Sequence, residues 1–460
     1  MLQKISTLMA KYMTASVLAA AVVSLVATSC SKETDEPQLP EINLDEQVEN
    51  IEFEIFGDTT FTVGQLSEAL QNINVEGYEA QLEMGRNLFL KTKQDYANRI
   101  AAESGATSSE MKWRSVCFNY WSTDELGRDI KLSARAYWGL VDDRDLNPAN
   151  ILLCPHYTIT RNAECPTQTN TFEAMFLCSN NLLILPDYIG FGTSADRVQP
   201  YVNHNIGAQN CIDALKAGYK VFRAKTEANV PGDFKLCVVG ASQGAGNALA
   251  VHKWLDTHPD FADTWHFAYS FCCAGPYSPA VTFKEYFEHE MITNPCVIPL
   301  TLKAMIAAYP DILGRWPEDD FYSDDYVQNV KTTIDQMIAS KEYSTFAINN
   351  VFFAHYSPES QSANGVQLSH ILSADALNRD SELYKAMFQY LDDNDLTHGW
   401  SPVHPIYLTH DRTDDVVPFA NAEAVTTAFP DKATLTATNL GSGHLGSCVM
   451  WFLVNMSKNW

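Results

Sequence analysis

The sequence predicts an α/β protein with a mostly parallel central sheet, and three observations support this fold class. Short apolar runs typical of buried parallel strands recur at 151–154, 182–185, 236–239, 267–272, 406–408 and 433–437. Segments with helical character separate most of these runs, and this alternation favours a parallel sheet covered by helices. Two strand-like runs at 115–121 and 130–138 flank a turn-forming segment at 124–128, so we expect an antiparallel hairpin before the parallel strands.

The composition suits one large domain with insertions, or two domains, and it argues against two classes of partner. The chain has 460 residues, of which 46% are hydrophobic and 11% aromatic, so it can bury a large core. Its net charge of −25 argues against binding to nucleic acid or to an anionic membrane surface. We interpret the acidic surface as a contribution to solubility.

Residues 1–29 have the features of a signal peptide rather than of a folded segment. Lys4 and Lys11 come before an apolar stretch at 12–26, and small residues follow at 27–29. The apolar stretch is shorter than the roughly 20 residues that a transmembrane helix needs. We therefore expect an exported protein.

Cys30 directly follows these small residues, and the junction resembles the lipobox of bacterial lipoproteins. Ala27 stands where leucine or valine is commoner in that motif. The polar, acidic segment at 30–46 resembles the tether of Bacteroidetes-type lipoproteins. The resemblance implies attachment to the outer membrane or cell surface through a lipidated Cys30. The alternative is an ordinary secretory signal, which would leave the protein periplasmic or secreted.

The pentapeptide GASQG at 240–244 matches the G-x-S-x-G pattern of a nucleophile elbow. The run before it, at 235–239, is short, apolar and β-branched, as a buried strand should be. The run after it, at 245–255, is rich in small residues and is typical of a helix packed closely on a sheet. In such a strand–turn–helix unit the serine occupies a strained turn, and the glycines allow close backbone approach. Ser242 is therefore the candidate nucleophile.

A serine hydroxyl needs a general base and an orienting carboxylate to act as a nucleophile near neutral pH. His444 lies in a glycine-flanked loop at 441–446, after the last predicted strand, where ligand crevices of parallel sheets lie. This position makes it the favoured base. The weaker alternatives are His410, His404 and His252.

Three aspartates follow the predicted strand at 406–409 and compete for the role of orienting carboxylate. Asp414 stands two residues before the segment VVP at 416–418, and we favour it on this register. Asp411 and Asp415 would then be solvated loop residues or helix caps.

The pattern of strands and helices divides residues 47–460 into an arm, a catalytic domain in two pieces, and a cap. Residues 47–111 include a helical pattern from about residue 63, and we expect them to form an N-terminal helical arm over the catalytic domain. Residues 112–280 and 399–460 carry the alternating strands and helices and form the predicted catalytic domain. Between these pieces, residues 281–398 lose the alternation, and we predict a helical cap with its own packing.

Ten cysteines follow Cys30, and several of them lie inside apolar strand-like runs, where a buried free thiol is expected. Export permits disulfides, and Cys154, Cys165 and Cys178 are close enough in sequence for one pair. The spacing of cysteines and histidines matches no metal-ligand pattern, so we predict no metal site.

The segment LPDYIGFGTS at 185–194, with the proline and tyrosine at 200–201, resembles the secretory-lipase branch of the α/β-hydrolases. The elbow, the segment DDVVP at 414–418 and the glycine–histidine pair at 443–444 fit the same superfamily in order and spacing. The resemblance implies an α/β-hydrolase sandwich, and in it the helical cap predicted from the loss of alternation would be inserted after the sixth predicted strand, strand 6. It also implies hydrolysis of carboxylic esters through an acyl-enzyme, without a cofactor.

This resemblance covers roughly residues 112–280 and 400–460 and does not extend convincingly over the cap or the arm. Within 185–194, we expect Asp187 and Tyr188 to shape the loop beneath the pocket rather than to contact substrate.

Two hydrogen-bond donors are needed to stabilise the oxyanion of an acyl-transfer reaction. The backbone N–H of Gln243, directly after the nucleophile, is the first expected donor. Superfamily members often carry His-Gly after the preceding strand, whereas this chain has PHYT at 155–158. We expect the second donor to be the backbone N–H of Tyr157 or Thr158, or the Tyr157 hydroxyl, with Tyr157 as a plain pocket wall as the alternative.

The leading functional hypothesis is a serine esterase or lipase that acts on small-molecule, glycan or lipid esters. A serine peptidase of the same fold and a non-catalytic binding lipoprotein remain the alternatives. The aromatic residues of the predicted cap could line an acyl or aryl pocket or form the core of the cap, and we favour the core for most of them. The sequence leaves the oligomeric state open.

Overall fold

The computed structural model describes residues 44–62, 65, 68, 111–171, 173, 181–357, 365–439, 441, 443–444 and 446–448. The predicted signal peptide, Cys30 and most of the predicted tether lie outside these residues. Within them, no helix is long and apolar enough to cross a membrane.

A ten-stranded sheet forms the centre of the described chain. Its strands are β1 Phe53–Thr62, β2 Met111–Thr123, β3 Asp129–Val141, β4 Arg144–Asp145, β5 Asn150–Leu153, β6 Asn181–Pro186, β7 Leu236–Ala241, β8 Phe267–Cys273, β11 Ile406–Asp411 and β12 Ala433–Thr438. They lie in the order β1-β2-β3-β6-β5-β7-β8-β11-β12, with β4 paired to β3. The strands from β6 to β12 in this order are parallel, whereas β1, β2 and β3 pair antiparallel, as do β3 and β6. A separate two-stranded sheet consists of β9 Met291–Ile292 and β10 Val366–Gln367.

The helices are α1 Leu44–Gln47, α2 His204–Lys225, α3 Gln243–Asp256, α4 Pro259–Thr264, α5 Pro279–His289, α6 Val297–Ala308, α7 Asp324–Asn329, α8 Lys331–Ser340, α9 Thr345–Tyr356, α10 Leu368–Ile371, α11 Ala374–Leu377, α12 Glu382–Asp393 and α13 Ala420–Ala428. Helix α2 packs on β2, β3 and β6, while α3 packs on β7 and β8. The mostly parallel sheet with packed helices confirms the predicted α/β fold class.

The predicted hairpin is the antiparallel pair β2 and β3, in register from Met111 opposite Val141 to Thr123 opposite Asp129. Asp124 begins the turn between these strands. Its carboxylate accepts hydrogen bonds from the backbone N–H groups of Leu126 and Arg128, at 2.9 and 3.0 Å. The short polar side chain therefore closes the turn, as expected for aspartate.

The prediction of a helical arm at 47–111 is wrong for its first part, because residues Phe53–Thr62 form the edge strand β1 of the central sheet. Ile51, Phe53 and Ile55 alternate with Glu52 and Glu54, and this period of two marks a strand with one face on the core. The helical pattern that follows falls almost entirely outside the described residues.

The segment between β8 and β11, which the sequence analysis predicts as a cap, contains α5 to α12, and its buried side chains form a hydrophobic cluster that also includes Tyr201 and Val202. The buried part of this cluster includes the cap aromatics Phe283, Tyr286, Phe321, Tyr322, Phe352 and Phe353, and Phe287, Trp316 and Tyr356 pack against it partly buried. The cap aromatics therefore serve mainly as the core that holds the cap helices together.

The suspected disulfide among Cys154, Cys165 and Cys178 is not formed between the two members that the structure describes. Cys154 and Cys165 are both buried free thiols, and Cys178 lies outside the described residues. Cys165 is 3.8 Å from an Asn162 side-chain oxygen and 3.7 Å from the Thr167 hydroxyl, so its thiol has polar partners other than a cysteine.

Candidate active site

Ser242 occupies the turn between β7 and α3, at the carboxyl end of the central parallel strands. Its backbone angles are φ 55° and ψ −128°, which a residue with a side chain rarely adopts. The Ser242 N–H donates to the carbonyl of Cys273 at the end of β8, at 2.8 Å, and this bond holds the turn against the neighbouring strand. The strained conformation is that of a nucleophile elbow.

Two glycines allow this turn to form. A Cβ at position 240 would lie 2.2 Å from the Gly244 carbonyl oxygen, so the turn can close only over a glycine. A Cβ at position 244 would lie 2.2 Å from the Pro155 carbonyl oxygen, in the loop that follows β5. The glycine at 244 therefore brings the loop with His156 and Tyr157 directly against the elbow.

The side chains of Ser242, His444 and Asp414 form one hydrogen-bonded chain. The Ser242 hydroxyl is 2.8 Å from Nε2 of His444, and Nδ1 of His444 is 2.8 Å from Oδ2 of Asp414. With the proton on Nδ1, His444 donates to Asp414 and accepts from the serine, which is the arrangement for general-base activation of a hydroxyl. The structure thus brings together all three favoured residues from the sequence.

The side chain of Asp414 has no exposed surface, and its surroundings favour the ionised carboxylate. Its Oδ1 accepts the backbone N–H groups of Val416 and Val417, at 3.0 and 2.8 Å. Burial acts to raise the pKa of Asp414, but the charge of His444 and the hydrogen bond from His410 hold this pKa well below its ordinary value. For His444, burial acts to lower the pKa, whereas the Asp414 carboxylate raises it to about 10. Together, these two pKa shifts favour a protonated His444 next to an ionised Asp414.

The two other aspartates of the loop have structural roles. Asp415 accepts the backbone N–H of His444 at 3.1 Å, so it orients the main chain of the base rather than its ring. Asp411 accepts the N–H of Thr413 at 2.9 Å and the hydroxyl of Thr438 at 2.7 Å, which ties the ends of β11 and β12 together.

The alternative histidines also lie away from the serine. His410 is buried behind Asp414, and its Nε2 is 2.9 Å from the Val417 carbonyl and 3.2 Å from Oδ2 of Asp414. His252 and His404 both contact Asp256, the last residue of α3. Because α3 is 14 residues long, Asp256 is about 20 Å along the helix from the elbow.

A second serine–histidine–aspartate chain occurs at that far end of α3. Nδ1 of His252 is 2.7 Å from the Ser270 hydroxyl, and Nε2 is 3.0 Å from Asp256. Ser270 and His252 have no exposed surface, so no substrate can reach this hydroxyl. The group fastens the end of α3 to β8 and to the segment before β11, and the resemblance to a triad is structural only.

The first predicted oxyanion donor, the backbone N–H of Gln243, lies at the start of α3. Gln243 is the first residue of α3, so its backbone N–H belongs to the helix end whose N–H groups have no acceptor within the helix. This N–H directly follows the nucleophile, and the helix dipole adds positive potential at this point. The Gln243 side chain turns away to accept from Gln199 at 3.4 Å.

The second predicted donor, Tyr157, is placed differently from the expectation. Its backbone N–H donates to Oε1 of Glu173 at 3.3 Å, so this N–H already has an acceptor before any substrate is present. Thr158 contacts the Tyr201 hydroxyl through its own hydroxyl, at 3.1 Å. The backbone N–H of Thr158 and the hydroxyl of Tyr157, whose side chain is 37% exposed, remain the other candidates from the sequence.

Sequence reasoning missed Glu173, which lies fully buried beside this loop. Burial raises the pKa of its carboxyl to about 7, with weaker opposing hydrogen bonds from backbone and Thr171. Its Oε2 has no hydrogen-bond partner among the described residues. The available signal was a single acidic residue inside the apolar run at 172–178, where a charge is out of place.

The Pro-Asp-Tyr segment at 186–188 packs against the loop that follows β5, as expected for a structural role. Asp187 is buried and accepts the hydroxyl of Ser133 at 2.6 Å and the N–H of Thr167 at 2.9 Å. The Tyr188 hydroxyl donates to the His156 carbonyl at 2.9 Å, and its ring stacks on the His156 imidazole with centroids 4.1 Å apart. These contacts fix the loop that adjoins the elbow.

The described residues contain no group of three or more histidine, cysteine, aspartate or glutamate side chains that could hold a metal ion.

Solved structures share this architecture. The rice cell wall degrading esterase LipA from Xanthomonas oryzae superposes with a TM-score of 0.62 at 18% identity, over 88% of this chain and 95% of LipA. A candidate hydrolase from Legionella pneumophila gives 0.64 at 16% identity, over 88% and 95% of the two chains. The chain has the esterase- and lipase-like hydrolase fold.

Lipase A from Candida antarctica shares this hydrolase fold more distantly, with a TM-score of 0.51 at 13% identity over 76% of this chain and 79% of the lipase. No family model and no curated protein sequence matches the chain. At these identities the similarity establishes the hydrolase fold alone.

Proposed function

We propose that the protein is a serine hydrolase that cleaves carboxylic esters through an acyl-enzyme intermediate. One observation carries this proposal: Ser242, His444 and Asp414 form a continuous chain of 2.8 Å hydrogen bonds in the strained turn of a hydrolase fold. The same residues, in the same chain order, are those expected of an α/β-hydrolase.

In the proposed reaction, the Ser242 oxygen attacks the ester carbonyl while Nε2 of His444 takes the hydroxyl proton. Asp414 stabilises the imidazolium that forms, since its carboxylate is kept ionised by four donors: two backbone N–H groups, His410 and His444. His444 then returns the proton to the leaving alkoxide, and the alcohol departs. Water attacks the acyl-enzyme with His444 again as base, which releases the acid and restores Ser242.

The negative oxygen of the tetrahedral intermediate needs hydrogen-bond donors next to Ser242. The backbone N–H of Gln243 supplies one of them, and the loop at 155–158 supplies the second, held against the elbow by the glycine at 244. One donor of this kind is typically worth about 3 kcal/mol in the transition state.

A fluorophosphonate probe and a panel of p-nitrophenyl esters from acetate to palmitate test this proposal. Ser270→Ala is the matched control for Ser242→Ala, because Ser270 is also bonded to a histidine but is buried. We expect probe labelling and turnover of at least one ester in the wild type and in Ser270→Ala, and neither in Ser242→Ala. Labelling without ester turnover would favour a peptidase, and no labelling would favour a binding protein.

We also propose that the protein is exported and anchored through a lipidated Cys30. The apolar stretch at 12–26, the small residues before Cys30 and the acidic segment after it support this proposal. Expressed in a Gram-negative host, the wild type should incorporate labelled palmitate and fractionate with membranes. A Cys30→Ala variant that still fractionates with membranes and still carries the label would contradict it.

A further inference from the structure

Two hydroxyl groups from the segment between β8 and β11 contact the loop that carries Asp414. The Tyr286 hydroxyl, on α5, donates to the backbone carbonyl of Val416. The Thr293 hydroxyl, directly after β9, donates to the backbone carbonyl of Asp415. This segment is therefore joined to the Asp414 loop by hydrogen bonds to its main chain.

The two carbonyls belong to the same peptide units that hold the Asp414 carboxylate. Oδ1 of Asp414 accepts the N–H groups of Val416 and Val417, at 3.0 and 2.8 Å. The N–H of Val416 shares a peptide unit with the carbonyl of Asp415, and the N–H of Val417 shares one with the carbonyl of Val416. Because a trans peptide unit points its carbonyl and its N–H in opposite directions, each unit has a hydroxyl at one end and Asp414 at the other.

This arrangement lets each hydroxyl act on the carboxylate through one peptide unit. A donor at the carbonyl oxygen polarises the unit and makes its N–H a stronger donor. The side chain of Asp414 has no exposed surface, so the charge of its carboxylate depends on protein donors rather than on bulk water. Each hydroxyl therefore orients one of these donors and also strengthens it.

Tyr286 is well suited to such a role. Its ring is buried in the hydrophobic cluster of this segment, with its centroid 5.9 Å from that of Phe283, so packing fixes the position of its hydroxyl. Burial raises the pKa of the Tyr286 hydroxyl well above its ordinary value, and the group therefore keeps its proton at neutral and mildly alkaline pH. It remains a hydrogen-bond donor throughout this range.

The start of α5 also holds the helix that follows the loop. Asn421, in the first turn of α13, has no exposed surface. Its Oδ1 accepts the backbone N–H of Ser278 at 3.0 Å, and its Nδ2 donates to the Thr282 hydroxyl at 2.9 Å. The segment between β8 and β11 therefore contacts the chain on both sides of Val417.

We propose that Tyr286 and Thr293 are positioning residues of the active site, which orient and polarise the two peptide units that hold Asp414. Full activation of Ser242 then requires these two side chains to be seated on the loop. The inference rests on the proposed serine hydrolase reaction, because its effect on turnover passes through Asp414 and His444. Both residues act through Asp414, so neither is a catalytic residue.

Steady-state kinetics of two variants test this proposal. Tyr286→Phe and Thr293→Val each remove one hydroxyl and keep the shape of the side chain. We expect kcat on a p-nitrophenyl ester to fall by roughly three- to tenfold in Tyr286→Phe, the effect of losing one neutral hydrogen bond, with little change in KM. Thr293→Val should show a smaller loss, since its hydrogen bond is the more exposed of the two. Wild-type kcat in both variants would overturn the proposal.

Matched controls come from the same segment. The Tyr309 hydroxyl donates to the Asp393 carboxylate, and the Thr301 hydroxyl donates to the Val297 carbonyl within α6. Tyr309→Phe and Thr301→Val therefore remove the same groups away from the Asp414 loop and should keep wild-type kinetics. Equal losses in the controls would show a general effect on folding and would contradict the positioning role.

A double-mutant cycle with Asp414→Ala shows whether the Tyr286 hydroxyl acts through the carboxylate. In Asp414→Ala there is no carboxylate for the two N–H groups to hold. Adding Tyr286→Phe should then change the residual kcat by less than about twofold. If the two losses simply multiply, the hydroxyl acts by another route and the proposal fails.

Proton NMR gives a readout that does not depend on turnover. The Nδ1 proton between His444 and Asp414 should give a far-downfield signal, which Asp414→Ala identifies by its loss. We expect this signal to move in Tyr286→Phe and Thr293→Val and to stay in place in the two controls. A moved signal in a protein that hydrolyses no ester would support the positioning role and refute the proposed function. An unmoved signal in an active enzyme would refute the positioning role alone. If Tyr286→Phe fails to fold, Thr293→Val, at a partly exposed position, decides the question.

Discussion

The imidazole of His410 lies behind the carboxylate of Asp414, with its Nε2 3.2 Å from the same oxygen that accepts a hydrogen bond from His444. Oδ2 of Asp414 therefore contacts both His410 and His444. His410 has no exposed surface and cannot contact a substrate, so it acts through Asp414. The pair connects the end of β11 to the base of the proposed reaction.

Replacing His410 by phenylalanine should lower kcat with little change in KM. The variant removes one donor to a buried carboxylate, and a hydrogen bond to a charged group is worth roughly 1.5–3 kcal/mol, or about 10- to 100-fold in rate. Glutamine at this position keeps an N–H donor and should retain more activity than phenylalanine. Steady-state kinetics on a p-nitrophenyl ester measure both, and an unchanged kcat in His410→Phe would refute a positioning role.

Asparagine substitutions at 414 and 415 should separate the two neighbouring aspartates. Asp414→Asn removes the charge that stabilises the imidazolium, and we expect kcat to fall by about 10³- to 10⁴-fold. Asp415→Asn keeps a side-chain oxygen that can accept the N–H of His444, so the loss should stay below about tenfold. Strong loss in Asp415→Asn with near-normal turnover in Asp414→Asn would reverse the assignment.

The activity should rise with pH across the neutral range and continue to rise above it. His444 acts as a base only when Nε2 is unprotonated, and the Asp414 carboxylate raises the pKa of this histidine above its ordinary 6.5. In Asp414→Asn the rising limb should move to lower pH, because burial still disfavours the imidazolium and the carboxylate is gone. Profiles of kcat/KM over about pH 5 to 10, corrected with Ser242→Ala, measure this shift. A wild-type profile that is flat above neutral pH would contradict the raised pKa.

Glu173 should make the protein less stable as the pH rises. Burial raises the pKa of its carboxyl from 4.5 to about 7, so its contribution to stability is greatest below about pH 4.5 and is lost as the pH rises to about 7. This shift corresponds to roughly 3 kcal/mol of unfolding free energy. Glu173→Gln should lack that pH dependence and should be more stable than the wild type at pH 8. Denaturant unfolding at acid and alkaline pH measures the difference, and parallel curves for the two proteins would contradict it.

A methyl group at position 244 should displace the loop that follows β5. The added Cβ would lie 2.2 Å from the Pro155 carbonyl oxygen, whereas a Cβ at Gly232 meets nothing within 4 Å. Loss of one oxyanion donor through this displacement would lower kcat by about 100-fold. Gly232→Ala is the matched control and should keep wild-type kinetics. Comparable kcat in both variants would show that the loop does not contribute a donor.

Much of the fold could be predicted because most strands of the sheet are short apolar runs, and helical segments separate them along the chain. The runs at 151–154 and 236–239 correspond to β5 and β7, and the hairpin at 115–138 to β2 and β3. Strand β1 was missed because its alternating pattern at 51–55 precedes a run of residues with a helical sequence pattern. The local pattern also does not show that the strand pairs with β2, whose partner residues lie fifty or more positions later. Pairing of this kind depends on tertiary contacts rather than on propensity.

The positions of Ser242, Asp414 and His444 could be predicted from their order along the chain and from the residues that flank them. The residues that surround these three side chains in the folded protein could not. Ser242 and His444 stand out by their flanking glycines, and Asp414 by its register. The placement of Glu173 against the N–H of Tyr157 depends on how two distant loops pack, so sequence alone predicted a free donor at that point. His410 looked like a rival base for the same reason, because its burial behind Asp414 is a property of the folded loop.

The position of the cap along the chain decides when the site can become complete. Ser242 comes before the cap, and Asp414 and His444 come after it, so a growing chain presents the nucleophile long before its activating partners. A chain interrupted anywhere before residue 444 would carry a serine without a base and would be inert. Synthesis as far as residue 444 therefore precedes any assembly of the complete site.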